Sequence, residues 1–323
     1  MHIETLNIPI IKQNETQASA RESHPARKTI FTDSDITNTM KKQFCSACAL
    51  LLLLAIPTAA FAVDFTVQHR ESVINWTGCY ISAKGKASID VGLSGNPVDS
   101  YDGLPVSINR ARTDTRVMAK DDAVENLIRA FKLLQVDTGT RLADLLKHDF
   151  TSKRMAEALN ESLKVRNRPL DFHTTECEVR LSLGDIISIV PYDFPGNDFP
   201  VIDDTPLRTD YSSLIIDGRG LNLAPMLFPS IFNEDGLEIY GRIFVDGRYA
   251  SKYGLASYCY NEDDARKSAR AGARPFYAVA LKNNGGCPVL SYKDARKILS
   301  APATRNNLKK CRVIFILDRE KKM

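Results

Sequence analysis

The chain has 323 residues, 44% of them hydrophobic and 25% charged, with a net charge of +4. That is the make-up of an ordinary folded protein long enough for about two domains. The small net charge argues against a nucleic-acid coat or a polybasic membrane-surface protein, so no nucleic-acid partner is expected.

Residues 1–39 are polar, carry no periodic apolar pattern and are expected to hold no fold. They read as a disordered extension, or as sequence upstream of a true start at Met40. From Met40 the chain reads as a secretory signal peptide, 40–62. Met40-Lys41-Lys42 is a basic start, Ala49 to Ile56 an apolar core, and Ala60 and Ala62 an A-x-A cleavage pattern. Cleavage after Ala62 places the mature chain in the periplasm. The apolar run is short for a membrane span, and no span is expected in the mature chain. Cys45 and Cys48 precede the apolar core, so no cysteine stands where a lipid anchor needs one.

Five of the seven cysteines follow Ala62: Cys79, Cys177, Cys259, Cys287 and Cys311. An exported protein can form disulfides. Cys259 and Cys287 are the loop-like pair and the candidate bridge; five free thiols are the alternative.

Val73 to Ala83 predicts a strand, with Trp76 as a core anchor rather than a carbohydrate platform. Gly- and Pro-rich residues 88–105 predict a loop. Ser107 to Gln135 predicts the longest helix, with Val117, Val124, Leu127, Ile128, Phe131 and Leu134 inward. Its charged residues, among them Lys120, Asp121, Asp122 and Glu125, are expected on a solvated face. Short helices are expected at 141–147 and 152–163, then strands at 165–172 and 177–183. His148 and His173 stand alone and read as surface or capping residues. Together, 72–184 predicts a first α+β unit, with helices on one face of an antiparallel sheet. Residues 185–210, with Pro191, Pro195, Pro200 and Pro206, predict an extended linker.

A second α+β unit is expected over 211–318. It opens with a strand at Leu214–Ile216 and the turn Asp217-Gly218-Arg219-Gly220. Met226–Phe232 and Leu237–Tyr240 predict a hairpin about Gly236. Strands are expected at 242–249, 255–260, 275–281, 288–290 and 311–317, the last central. Helices are expected at 263–271 and 292–299.

The turn Asp217–Gly220 is not a dinucleotide loop, because no third glycine and no helix follow it. Its glycines read as backbone devices, and Asp217 and Arg219 are expected to hold the turn by hydrogen bonds or an ion pair. Asp217, Gly218, Arg219, Gly220, Gly236, Tyr240 and Gly241 form the structural motif of the chain. The mature chain has three histidines, His69, His148 and His173, and no G-x-S-x-G, so no nucleophile–base pair is legible. No enzyme, cofactor or metal site is expected.

The stretch LIIDGRGLNLAPMLFPSIFNEDGLEIYG (214–241) resembles the signature of exported bacterial proteins grouped with the Lpp-twenty lipoprotein and FlgP-like flagellar assembly family. INWTGCYISAKGKA, VDTGTRLADLL, and 275–317 extend the resemblance over most of 72–317. The resemblance implies a small α+β fold and a non-catalytic role in envelope or flagellar outer-ring assembly. Other envelope proteins, or second copies of the chain, would be the partners. A periplasmic module binding a small molecule or glycan is the alternative.

Overall fold

A computed structural model describes residues 63–202 and 209–319. The expected extension 1–39 and signal peptide 40–62 lie outside the described residues. The fold is α+β, built on three sheets.

The first sheet holds β1 (Thr66–His69), β2 (Ser72–Asn75), β3 (Tyr80–Ser88), β4 (Lys164–Pro169) and β5 (Thr174–Ser182). Its order is β1-β2-β3-β5-β4, antiparallel throughout. The single strand expected over Val73–Ala83 is a hairpin. The Asn75 side chain accepts from the Gly78 N–H at 2.6 Å, and Cys79 takes the left-handed conformation (φ 54°), so the chain reverses between β2 and β3. Trp76 is buried at that turn, edge-on to Tyr258 with ring centroids 5.2 Å apart.

Helix α1 (Ile108–Phe131) starts at Ser107, whose hydroxyl accepts from the Arg110 N–H. Leu127, Phe131 and Leu134 face inward as expected and Val124 is partly buried, but two of the expected inward residues do not. Val117 and Ile128 are exposed, whereas Ala111, Thr115, Ala119, Ala123, Leu127 and Phe131 are buried. The small residues Ala111, Thr115, Ala119 and Ala123, four apart, let this part of the helix approach closely. A Cβ on Gly85 of β3 would sit 2.2 Å from the Ala123 nitrogen and 2.4 Å from the Ala119 oxygen. Asp122, expected on a solvated face, accepts from the Lys86 N–H at 2.9 Å, and Asn126 donates to the Lys84 carbonyl at 2.9 Å.

Helices α2 (Leu142–Leu145) and α3 (Asp149–Glu161) follow, and α4 (Leu183–Ile189) comes after β5. The expected linker therefore begins inside a helix, where Ile186, Ile187 and Ile189 are buried. Beyond Pro191 the chain is extended but packed: Phe199 stacks on Phe244 at 5.0 Å and Tyr192 meets Phe228 at 5.4 Å.

From residue 213 the order is β6 (Ser213–Asp217), β7 (Ile231–Asn233), β8 (Glu238–Tyr240), α5 (Gly247–Tyr253), β9 (Ser257–Cys259), α6 (Glu262–Lys267), β10 (Pro275–Val279), β11 (Lys282–Asn284), β12 (Cys287–Leu290), α7 (Tyr292–Ser300), α8 (Pro302–Lys309) and β13 (Val313–Ile316). Strands β10-β6-β13-β9 make a wholly parallel sheet with β13 inside it. Its runs LII and VIFI are buried on both faces, which explains their unbroken apolar character. Strands β11-β12-β7-β8 form a mixed sheet.

Two segments differ from expectation here. Residues 242–249 are not a strand: a 3-10 turn (Arg242–Phe244) leads to α5, capped by Asp246, which accepts from the Arg248 N–H at 2.9 Å. Of Met226–Phe232, only its end is strand; Met226, Leu227 and Phe228 are buried in irregular backbone. One continuous apolar core runs from Phe65 to Leu317 and takes in residues of all three sheets.

Gly85→Ala is expected to force α1 off the sheet at a cost of about 3 kcal/mol, an overpacking penalty at the upper end of the usual range. Ile128→Ser, on the exposed face, is expected to stay within about 0.5 kcal/mol of the parent. Urea denaturation of the two variants checks the assignment of the helix face.

Candidate functional site at the carboxyl end of the parallel sheet

In open parallel sheets, ligands collect at the carboxyl ends of the strands. Here that end is β6 running into Asp217-Gly218-Arg219-Gly220, beside the end of β13. Asp217 holds the turn. Its Oδ1 accepts from the Arg219 Nε at 2.9 Å and from the Arg219 N–H at 3.2 Å. Its Oδ2 accepts from Arg219 Nη2 at 2.5 Å and from the Tyr277 hydroxyl, on neighbouring β10, at 2.6 Å. The Arg219 guanidinium and then the Tyr277 hydroxyl hold the Asp217 carboxyl down at about 2, against the opposing effect of burial. Burial, then the Asp217 carboxylate, pushes the Tyr277 hydroxyl up to about 12. At neutral pH this is an ionised carboxylate with every strong partner in place, so it has no reason to take a proton from a substrate.

The glycines shape the turn. A Cβ on Gly218 would sit 2.6 Å from Leu223 Cδ1, so its absence lets Leu223 pack inward. Gly220 adopts φ 79° and its N–H donates to Asp318 Oδ2 at 2.7 Å. A phosphate at this turn would meet two carboxylates, Asp217 and Asp318, which opposes anion binding.

The chain then crosses the Tyr258–Phe315–Leu317 side of the sheet and is tied down there. Met226 exchanges hydrogen bonds with the Tyr258 hydroxyl: the N–H donates to it at 3.0 Å and the carbonyl accepts from it at 2.7 Å. Asn283 Nδ2 donates to the Leu221 carbonyl at 3.0 Å. The space left beneath is about 10 Å³, room for one water at most.

The remaining motif residues lie elsewhere. Gly236 (φ 81°) closes the β7–β8 turn, its N–H donating to the Asn233 carbonyl at 3.0 Å. Tyr240 is fully buried and donates to the Leu255 carbonyl at 2.6 Å. Gly241 faces Glu238, whose Oε1 would stand 2.0 Å from an added Cβ. These three build the mixed sheet and do not join Asp217.

The Cys259–Cys287 bridge is not formed. Cys79, Cys177, Cys259, Cys287 and Cys311 are free thiols. Cys259 ends a strand of the parallel sheet and packs with Ile215 and Ile316, whereas Cys287 starts a strand of the mixed sheet. Burial raises all five thiols, Cys259 to about 12, so that they favour the protonated form; four of them are buried and Cys79 is half-buried. The histidines occupy three different turns: His69 ends β1, His148 precedes α3, and His173 lies at the β4–β5 turn against Phe172. Among the described residues no group of three or more His, Cys, Asp or Glu is placed to hold a metal ion.

Residues 213–319 match the family model of the second domain of Treponema pallidum Tp0624. The matched span opens on the first residue of β6 and ends just past β13. It takes in the parallel and mixed sheets and none of the first sheet. The likeness thus covers about a third of the chain, the segment that builds the parallel and mixed sheets. Among curated proteins none matches the chain.

Clefts of ligand size had no counterpart in the sequence reading, since their residues are far apart in the chain; two bear on function. One, about 480 Å³, lies between α1 and the β4–β5 hairpin, where Arg112, Arg116 and His173 meet and Arg112 lies 4.6 Å above the Phe172 ring. The other lies beside α5.

Asp217→Asn tests the role of the turn. The folded-state carboxyl is depressed, so its contribution is complete above the usual carboxylate value near 4 and is lost as pH falls toward about 2. The variant is expected to be less stable by about 1–2 kcal/mol at pH 7, and the gap should close between pH 4 and pH 2 in urea titrations. A gap that stays constant to the acid end would show that the ion pair is not its origin.

Proposed function

We propose that this chain is a non-catalytic protein of the bacterial periplasm that acts through contacts with other envelope proteins or with further copies of itself. A place in flagellar or outer-membrane-associated assembly follows from the resemblance of 214–241 and its flanks. The observation that supports a contact role is the apolar end of the first sheet. Leu93, Tyr101 and Leu104 in the loop after β3 are exposed, and so are Met118 on α1 and Phe172 on the β4–β5 turn. The Ile89 N–H donates to the His173 carbonyl at 2.8 Å, and Ser100 Oγ lies 3.6 Å from Met118 Sδ, so the loop crosses from the hairpin to the helix. Scattered apolar residues are ordinary, but a group of large ones on connected segments marks an interaction surface.

Strand addition supports this role less well. The edge strand β4 carries Lys164, Arg166 and Arg168, and ends in Pro169. Charges and proline are how sheets discourage edge-to-edge pairing. The non-catalytic reading is supported by the engaged Asp217, the buried protonated thiols and the separated histidines. No helix among the described residues is long and apolar enough to cross a membrane.

A second reading, a module for a small molecule or glycan, is supported by the cleft under Arg112, Arg116 and His173.

Periplasmic crosslinking in the native strain, comparing the parent with Leu93→Ser/Tyr101→Ser, checks the contact reading. The parent is expected to give a discrete crosslinked species, and the variant to lose it at unchanged protein level. A parent chain that stays uncrosslinked and elutes as a monomer would refute it. Mass determination of the exported chain is expected to place its N-terminus at Val63.

A further inference from the structure

The second cleft has a volume of about 380 Å³ and is walled by Tyr249, Tyr253, Arg270, Lys310 and Arg312, with Ala269 and Cys311 completing it. Three separate parts of the chain converge here: α5, the segment after α6, and the link from α8 into β13. Three cations line the cleft and no acidic side chain does. Among the described residues no carboxylate pairs with Lys310 or Arg312, although both are half-buried. Nearby cations have their own partners: Lys309 pairs with Asp198 at 3.1 Å and Arg248 with Asp246 at 2.7 Å.

Arg270 is fixed differently. Its guanidinium donates to the Cys311 carbonyl at 2.6 Å, to the Gly254 carbonyl at 3.1 Å and to the Tyr253 carbonyl. It therefore ties the end of α5 to the start of β13 and leaves a positive charge at the floor without a counter-ion. Beside the cations, the rings of Tyr249 and Tyr253 stack with centroids 6.3 Å apart. A neighbouring cleft of about 500 Å³ shares Tyr253, Ala269 and Arg270 and is lined by Lys252, Lys267 and one carboxylate, Asp264.

Cations gathered in a concave, half-buried place repel one another and focus positive potential outward. An anion with several oxygens relieves that repulsion through charge-assisted hydrogen bonds. The tyrosine wall adds a flat apolar surface with polar tips, suited to a ring that is itself partly polar. We propose that this cleft binds a sugar carrying a phosphate or carboxylate group, with Lys310 and Arg312 on the anionic group and Tyr253 against the ring. The site stands apart from the apolar end of the first sheet, so either assignment can fail alone.

Calorimetric titration of the full chain with glucose 6-phosphate, galacturonate, inorganic phosphate and glucose tests the site. The two charged sugars are expected to bind, glucose not to bind, and inorganic phosphate to bind more weakly than glucose 6-phosphate. Lys310→Gln/Arg312→Gln is expected to weaken the charged sugars by about tenfold or more, the loss of a charged hydrogen bond. Tyr253→Ala should weaken glucose 6-phosphate but not inorganic phosphate. Arg129→Gln, in an exposed ion pair with Glu125 on α1 and outside both clefts, should change nothing. If the double variant at 310 and 312 fails to fold, Arg312→Gln alone serves, with the expected fall of affinity as salt rises. Absence of binding by either charged sugar at about 1 mM, a level that reads affinities of only about 4 kcal/mol, would overturn the assignment. So would equal binding by glucose, or undiminished binding in a folded variant at 310 and 312.

Discussion

The first sheet depends on one missing side chain. The last backbone bond on the β2 side of β3 is from the Lys84 N–H to the Glu71 carbonyl at 2.9 Å, and beyond it the Lys84 carbonyl and the Lys86 N–H have lost their strand partner. Helix α1 takes over. Gly85 has no Cβ, so the backbone of Ala119 and Ala123 can lie directly on the strand. At that distance the side chains of Asp122 and Asn126 reach the Lys86 N–H and the Lys84 carbonyl, which a larger residue at 85 would hold out of range. Unpaired backbone groups in a packed layer are costly, so the close contact and the two hydrogen bonds support each other. The orientation of α1 carries the loop before it and the hairpin after it, and with them the apolar end of the sheet.

The same economy of side chains governs the second half. Gly218 makes room for Leu223, and Gly220 turns its N–H onto Asp318. The effect is to close the end of a parallel sheet that topology alone would leave open to a ligand. Asp217 gives the turn its charge, yet Arg219 and Tyr277 consume every strong interaction it can make. A motif conspicuous in the sequence is thereby an architectural one, and the surfaces available for recognition lie away from it.

Much of the fold was legible because several signals agreed. The unbroken apolar run at the end of the chain became the interior strand β13. Ser107 and Ser291 both start helices, each accepting an N–H from the first turn. The α+β class follows from such elements. The errors came where tertiary contact overrode local pattern. On α1, Leu127, Phe131 and Leu134 were placed inward correctly, but Val117 and Ile128 were preferred to Ala119 and Ala123 because they are larger and more apolar; only the partner glycine, distant in sequence, explains why small residues win there. Residues 242–249 alternate like a strand, but Asp246 caps a helix there. The wholly parallel order of the second sheet depends on which strands meet, and periodicity carries no such information.

Both clefts were invisible for a related reason. Arg270, Lys310 and Arg312 are unremarkable along the chain; Tyr249 ends one expected strand and Tyr253 falls between two. Their meaning comes from convergence. Arg270 spends its hydrogen bonds on three carbonyls and so fixes the end of α5 against the start of β13. That pinning sets the distance between the tyrosine wall and the cations, which makes the cleft a feature of the fold rather than of mobile side chains. Preorganised groups lose less freedom on binding than flexible ones. A positive cleft fixed by backbone hydrogen bonds in one half and an apolar end in the other are thus separate surfaces, each set by the frame around it.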